Sequence, residues 1–257
     1  MSWTAYKRTV FFLILGLLLL GVAYLGILST SNPWKAARLG EIPAPLGFER
    51  IEADGFSSFL RDLPVKKRGS KVHLYTGGLA RYQFLSLGVI DWPLLSNSEQ
   101  CADVTMRVRA EYLWSTGQGA KITFSDVNGK KHPYKGGKER KAFEQYLKAS
   151  YERSNTASVY HETLPRAFKD VRPGDVFVYL SRRKGAYGHA ILVADVAKSK
   201  SGKIAVLCIE GNTPAREIHI LRNQTRPWSA WFILSGDEDV AHLTPFTFHK
   251  GELRHYQ

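Results

Sequence analysis

"GHAILVADVAKSKSGKIAVLCIEGN", residues 188–212, decides how the second half of this chain reads. Two apolar runs, 190–197 and 204–209, flank a polar stretch that carries Gly202. Runs this short, rich in Val and Ile and bounded by glycine, read as strands rather than helices. Working outward, "PGDVFVYL" (173–180), "EIHILRN" (217–223) and "WSAWFIL" (228–234) repeat the pattern, with Gly, Pro or Asn at most joints. That spacing suits an antiparallel sheet or half-barrel.

The first half carries the helices. "NSEQCADVTMRVRAEYL" (97–113) places Val104, Val108 and Tyr112 on one stripe with Cys101, so this face is expected to pack inward. Ser98 reads as its N-cap, which sets Cys101 in the first turn. "SSFLRDLPV" (57–65), "GKERKAFEQYLKASYERS" (137–154) and "ASVYHETLPRAF" (157–168) read as further helices, the last stopped by Pro165. "KVHLYTGG" (71–78) reads as a strand, and "AKITFSDVNGKKHPY" (120–134) as a strand followed by an Asn-Gly turn. The expected architecture is α+β, with helices packed on one side of an antiparallel sheet. Arg107 and Arg109 in a packed helix need carboxylate partners, and Glu111 and Asp103 stand within reach.

The ends and the charge bear on location. Lys7 and Arg8 precede an unbroken apolar run over 10–28. Nineteen residues rising 1.5 Å each can cross a hydrocarbon core of roughly 30 Å. The expected organisation is a short tail over 1–9, a transmembrane helix or signal anchor over 10–28, a linker over 29–47 and a single domain over 48–257. Ser29 and Ser31 leave signal cleavage as an alternative. The domain is expected to be periplasmic or extracellular. With 36 Lys plus Arg against 23 Asp plus Glu, the formal charge of +13 favours anionic partners. No RNP, zinc-finger or helix-turn-helix pattern is present, so nucleic acid is not the expected partner. The histidines lack metal-ligand spacing, and "KGGK" (135–138) lacks the spacing of a phosphate-binding loop, so neither metal nor cofactor is expected.

A thiol on the first turn of a helix is either a small buried side chain or a nucleophile whose pKa the helix N-terminus lowers. A nucleophile needs a base, and His189 at the head of an apolar strand is the candidate. A third group must fix the ring, and "CIEGN" offers Glu210 or Asn212. Gln100, directly before the cysteine, is the candidate contributor to an oxyanion hole. Cys208, two residues before Glu210, is either a buried thiol or the partner of Cys101 in a disulfide.

Cysteine first, then "PGDVF", "GHAILVADV" and a strand closing in a polar pair resembles the papain-like cell-wall peptidases and amidases of the NlpC and CHAP kinds. That resemblance implies a papain-like core, with Cys101 as nucleophile, His189 as general base and Glu210 or Asn212 as the orienting group. "GFERI", "FLRDLPV", "QCADVTMRVRAEYL", "PGDVFV", "GHAILVADV" and "TPAREIHIL" are also similar to a bacterial family labelled domain of unknown function 4846, a label that implies no activity. An additional hairpin and helix between Cys101 and His189 depart from the compact peptidase pattern. The expectation is a membrane-anchored cysteine hydrolase of amide bonds in peptides or peptidoglycan. The alternative is a non-catalytic cell-envelope binding domain on the same fold.

Overall fold

In the computed structural model, residues 15–16, 36–184, 186–235 and 239–256 are described. Two compact units divide the chain, Met1–Asn32 and Pro33–Gln257. In the first, only the helical pair 15–16 is described, so the expected span over 10–28 lies almost wholly outside the described residues. Among the described residues no helix is long and apolar enough to cross a membrane.

The second unit is built from β1 (Phe48–Arg50), α1 (Gly55–Arg61), β2 (Ser86–Val89), α2 (Cys101–Ser115), β3 (Thr123–Ser125), β4 (Lys131–Pro133), α3 (Arg140–Tyr151), α4 (Thr156–Glu162) and β5 (Thr163–Pro165). After these come β6 (Val176–Tyr179), β7 (His189–Ser199), β8 (Ile204–Glu210), β9 (His219–Leu221), β10 (Trp231–Leu234), β11 (Val240–Leu243), β12 (Phe246–His249) and β13 (Leu253–Tyr256). Nine strands form one sheet in the order β2-β9-β8-β7-β6-β13-β5, with β1 on β7 and β10 on β8. The pairings are antiparallel. β3–β4 and β11–β12 are separate hairpins.

This architecture corrects the expected papain-like core. What is present is a large, mostly antiparallel sheet of nine strands with four helices among the described residues. The reason lies in β7 and β8, whose residues are buried almost without interruption. Strands apolar on both faces need cover on both. α2, α3 and α4 supply one layer, joined there by Ala190, Leu192, Leu207 and Ile209. The β11–β12 hairpin and the turn around Phe168 supply the other, against Ile191, Val193, Val206 and Cys208. Four short motifs could not reveal how many strands lay between them.

Locally, several readings change. "KVHLYTGG" is no strand and makes only isolated bridges, His73 to Leu79 and Leu74 to Arg216. From the expected linker, Leu39 and Ile42 sit fully buried in the core. Gln100, not Ser98, is the N-cap of α2, which makes Cys101 its first helical residue. The Gln100 amide donates to Asp103 Oδ2 at 2.9 Å, while Ser98 bonds Glu152 instead. α2 is buried nearly all round, including Arg107, which pairs with Glu99 at 2.7 Å and Glu111 at 3.6 Å and lies over the Trp92 ring. Asp103 therefore caps the helix rather than meeting an arginine. Arg109 lies over the Tyr256 ring. A bulge between Val193 and Asp195 turns the Asp195 carboxylate to Arg50 at 2.5 Å and Arg61 at 2.8 Å, which ties β1 and α1 to β7.

Two glycines set how closely elements approach at the head of β7. A Cβ on Gly211 would stand 2.7 Å from Val104 Cγ2, so only glycine lets the start of α2 lie against the end of β8. A Cβ on Gly188 would stand 2.5 Å from the Tyr179 carbonyl oxygen. Gly188→Ala is expected to cost about 1–3 kcal/mol of stability by overpacking. Urea unfolding checks it, and an unchanged midpoint would contradict the tight contact.

Candidate active site

The start of α2 and the facing ends of β7, β8 and β9 bring four side chains together. Leu192 pairs with Ile209, so His189 and Glu210 share the opposite face of the sheet as diagonal neighbours. Glu210 pairs directly with His219, and His189 directly with Tyr179. Tyr179, His189, Glu210 and His219 thus form a row across four adjacent strands. Small residues beside that row, Ala190 and Gly211, leave room for the helix start.

Cys101 completes the arrangement. Its thiol lies beside the His189 ring and the Ala190 amide, which both act on it. His189 Nε2 donates to Glu210 Oε2 at 2.6 Å, which leaves Nδ1 for the thiol. Glu210 Oε1 lies 3.1 Å from His219 Nε2, without hydrogen-bond alignment. His219 Nδ1 is 3.1 Å from the Glu217 carbonyl and, facing an acceptor, must carry a proton there. Phe246 stacks on the His189 ring at 4.1 Å between centroids. Cys101, His189 and Glu210 are 6%, 5% and 1% exposed, so a substrate could reach the thiol only through a narrow opening.

The electrostatics follow from this burial. Burial opposes the thiolate, but the neighbouring His189 charge, its hydrogen bond and the Ala190 amide hold the Cys101 thiol below its ordinary range. Its place at a helix N-terminus acts in the same direction. Burial alone would lower His189, yet the Glu210 carboxylate and then Cys101 raise it to about 10. Burial would likewise raise Glu210, and His189 instead holds it well below the carboxylate range. These directions favour a thiolate beside an imidazolium backed by a carboxylate.

Of the residues expected to form a site, Cys101, His189 and Glu210 meet, and two do not join them. Asn212 turns its Oδ1 back to the Thr213 amide at 2.8 Å and is not the group holding the ring. Gln100 accepts from Thr213 Oγ1 at 2.7 Å through Oε1, and its backbone amide is occupied by Asp103. For an oxyanion, that leaves Gln100 Nε2 and the first-turn amides of α2 that helix geometry leaves without intrahelical carbonyls. Cys208 is a free, fully buried thiol on the same sheet face as Glu210, within the apolar layer of Ile191 and Val193, and is pushed up by burial; Cys101 is free as well. His219 and Phe246 escaped the reading of the chain, because only strand register places His219 opposite Glu210. Among the described residues no cluster of three or more His, Cys, Asp or Glu is arranged to hold a metal ion.

The model of the family described as domain of unknown function (4846) matches residues 40–139 and 135–255. The chain belongs to this family. No curated protein and no solved structure matches it. The two matched segments of this domain of unknown function together include Cys101, His189, Glu210 and His219.

Proposed function

We propose that this domain is a cysteine hydrolase acting on amide bonds, with Cys101 as nucleophile, His189 as acid and base, and Glu210 as the group that orients and charges the ring. One observation carries the reading: a thiol at a helix start beside a histidine whose ring is held by a buried carboxylate. The thiolate attacks the amide carbonyl, and His189 gives its proton to the departing amine, leaving a thioester on Cys101. Water then attacks the thioester as His189 takes its proton, which releases the acid and restores the thiol pair. The motif order similar to NlpC and CHAP peptidases supports this chemistry, though not their fold. The apolar run over 10–28 and the charge of +13 support a place in the cell envelope, outside the cytoplasm, with peptidoglycan peptides as substrates.

The test is acyl transfer to a single residue. Incubation with short N-acetyl peptide 4-nitrophenyl esters and 4-nitroanilides, quenched in acid, is expected to leave the acyl mass on the Cys101 peptide, and Cys101→Ala to abolish both the adduct and turnover. Undiminished turnover in Cys101→Ala, or no adduct from any activated ester, overturns the reading. The near-complete burial of Cys101 and His189 favours the second reading, a non-catalytic envelope binder, and that is what an absent adduct would leave.

A further inference from the structure

A cavity of about 480 Å³ opens beside the row of strand ends, within the roughly 300–1,000 Å³ range of small-molecule sites. Glu210, His219, Asn212 and Thr213 form its floor, and Tyr82, Phe84 and Phe246 are among its walls. It adjoins the reactive group on two sides. Phe246 stacks on His189, and Thr213 bonds the residue preceding Cys101. The aromatic lip is open to solvent: Tyr82 and Phe84 are 61% and 60% exposed and meet edge to face at 6.0 Å. Tyr82 holds its place at φ 59°, a left-handed conformation that a bulky residue rarely adopts.

Arg216 is the group in this cavity that the fold does not explain. It is 8% exposed, yet it makes only long contacts to carbonyl oxygens: Pro214 at 3.4 Å, Arg81 at 3.4 Å and Thr213 at 3.3 Å. Among the described residues no carboxylate forms an ion pair with it, whereas Arg107, Arg50 and Arg61 each have one. Buried guanidinium groups ordinarily meet a carboxylate or phosphate in a planar fork. Glu210 shares the cavity and acts on Arg216 electrostatically, but it is engaged by His189 at 2.6 Å, faces His219 at 3.1 Å and forms no ion pair with the guanidinium.

We propose that this cavity is the substrate subsite and takes a peptide carrying a carboxylate, with Arg216 as its partner and the aromatic residues packing on the remainder. This rests on the hydrolase reading only for the word substrate, because the binding itself needs no chemistry. The carboxylate can be a chain terminus or an acidic side chain, and the shared recognition is the fork on Arg216.

The experiment is calorimetric binding to the full chain carrying Cys101→Ala, which prevents turnover. Three probes are compared: N-acetyl-alanyl-alanine with a free terminal carboxylate, its C-terminal amide, and N-acetyl-alanyl-glutamic acid amide. A charge-assisted pair lost from such a site is expected to weaken binding roughly 10- to 100-fold. One or both carboxylate peptides should therefore bind that much more tightly than the neutral amide, and which of them does so identifies the source. Arg216→Gln should erase the difference, and Arg216→Lys should keep part of it. Equal binding of all three, binding of none at millimolar concentration, or a difference unchanged in Arg216→Gln overturns the proposal. Should Arg216→Gln fail to fold, Arg216→Lys and the salt dependence of the carboxylate peptides decide. Binding with no acyl adduct on the wild-type cysteine would sink the hydrolase and keep the subsite, and an adduct without carboxylate preference would do the reverse.

Discussion

Iodoacetamide is expected to alkylate Cys101 of the folded protein with a pH profile displaced to lower pH than that of a free thiol. An ordinary thiol, about 1% ionised at pH 6.5 and half ionised near 8.5, would speed up roughly fifty-fold across that interval. The displaced profile follows from a thiol held below its ordinary range by the His189 charge and the Ala190 amide against the cost of burial. With 6% exposure the absolute rate will be low, which is why the pH profile and not the rate is decisive. His189→Ala should move the rise back towards the free-thiol range and slow the reaction at pH 6.5. The second thiol is an internal control. Cys208 is wholly buried and raised by that burial, so it should stay unmodified until the protein unfolds. A steep, ordinary profile for wild-type Cys101 would remove the thiolate–imidazolium pair. Mass spectrometry of the separate peptides reads both sites in one experiment.

Glu210→Gln is expected to be the most damaging conservative change in the site. It removes the buried carboxylate that pairs with the His189 ring at 2.6 Å, and breaking such a pair costs roughly 3–5 kcal/mol. If the domain is a hydrolase, loss of the orienting carboxylate should lower kcat by roughly 10³–10⁴-fold. The pH dependence of stability separates this from a packing defect. Glu210 is depressed in the folded state, so its contribution is present above the unfolded value of about 4.3 and lost as pH falls towards the folded one. His189 is raised, so its contribution is complete below the unfolded value of 6.5 and lost as pH rises through about 10. Cys101 is lowered and works in the opposite sense up to its free value of about 8.5, which offsets the His189 limb below that point. The melting temperature should therefore fall more steeply between about 8.5 and 10 than across neutral pH. In Cys101→Ala the decline should begin nearer 6.5, and in Glu210→Gln the alkaline limb should shrink. Thermal melts from pH 4 to 10 check all three, and an alkaline limb of unchanged size in Glu210→Gln would contradict the coupling.

How far the site can be read from the chain differs by residue. Cys101 at a helix start, His189 at the head of one strand and Glu210 at the foot of the next are marked by local pattern: apolar periodicity, then Gly188 and Gly211 at the joints. Local pattern also exposed the Asn-Gly hairpin that became β3–β4. It erred on the N-cap, because Ser98 is the stronger capping type and only the geometry of Asp103 on the Gln100 amide favours the later start. It misread "KVHLYTGG", whose apparent alternation serves a cavity-bordering loop instead of a strand.

Side-chain period and turn residues, which act over a few neighbours, were enough to write down the helices, most of the strands, and Cys101, His189 and Glu210 as the candidate site. Sheet size, the row that adds His219, the Phe246 ring on His189 and the unmatched Arg216 in its cavity were decided by tertiary structure alone. Each depends on strand register or on contacts between segments more than twenty residues apart. Such contacts form only when apolar faces on both sides of β7 and β8 find their cover, and no local signal encodes which segment supplies it.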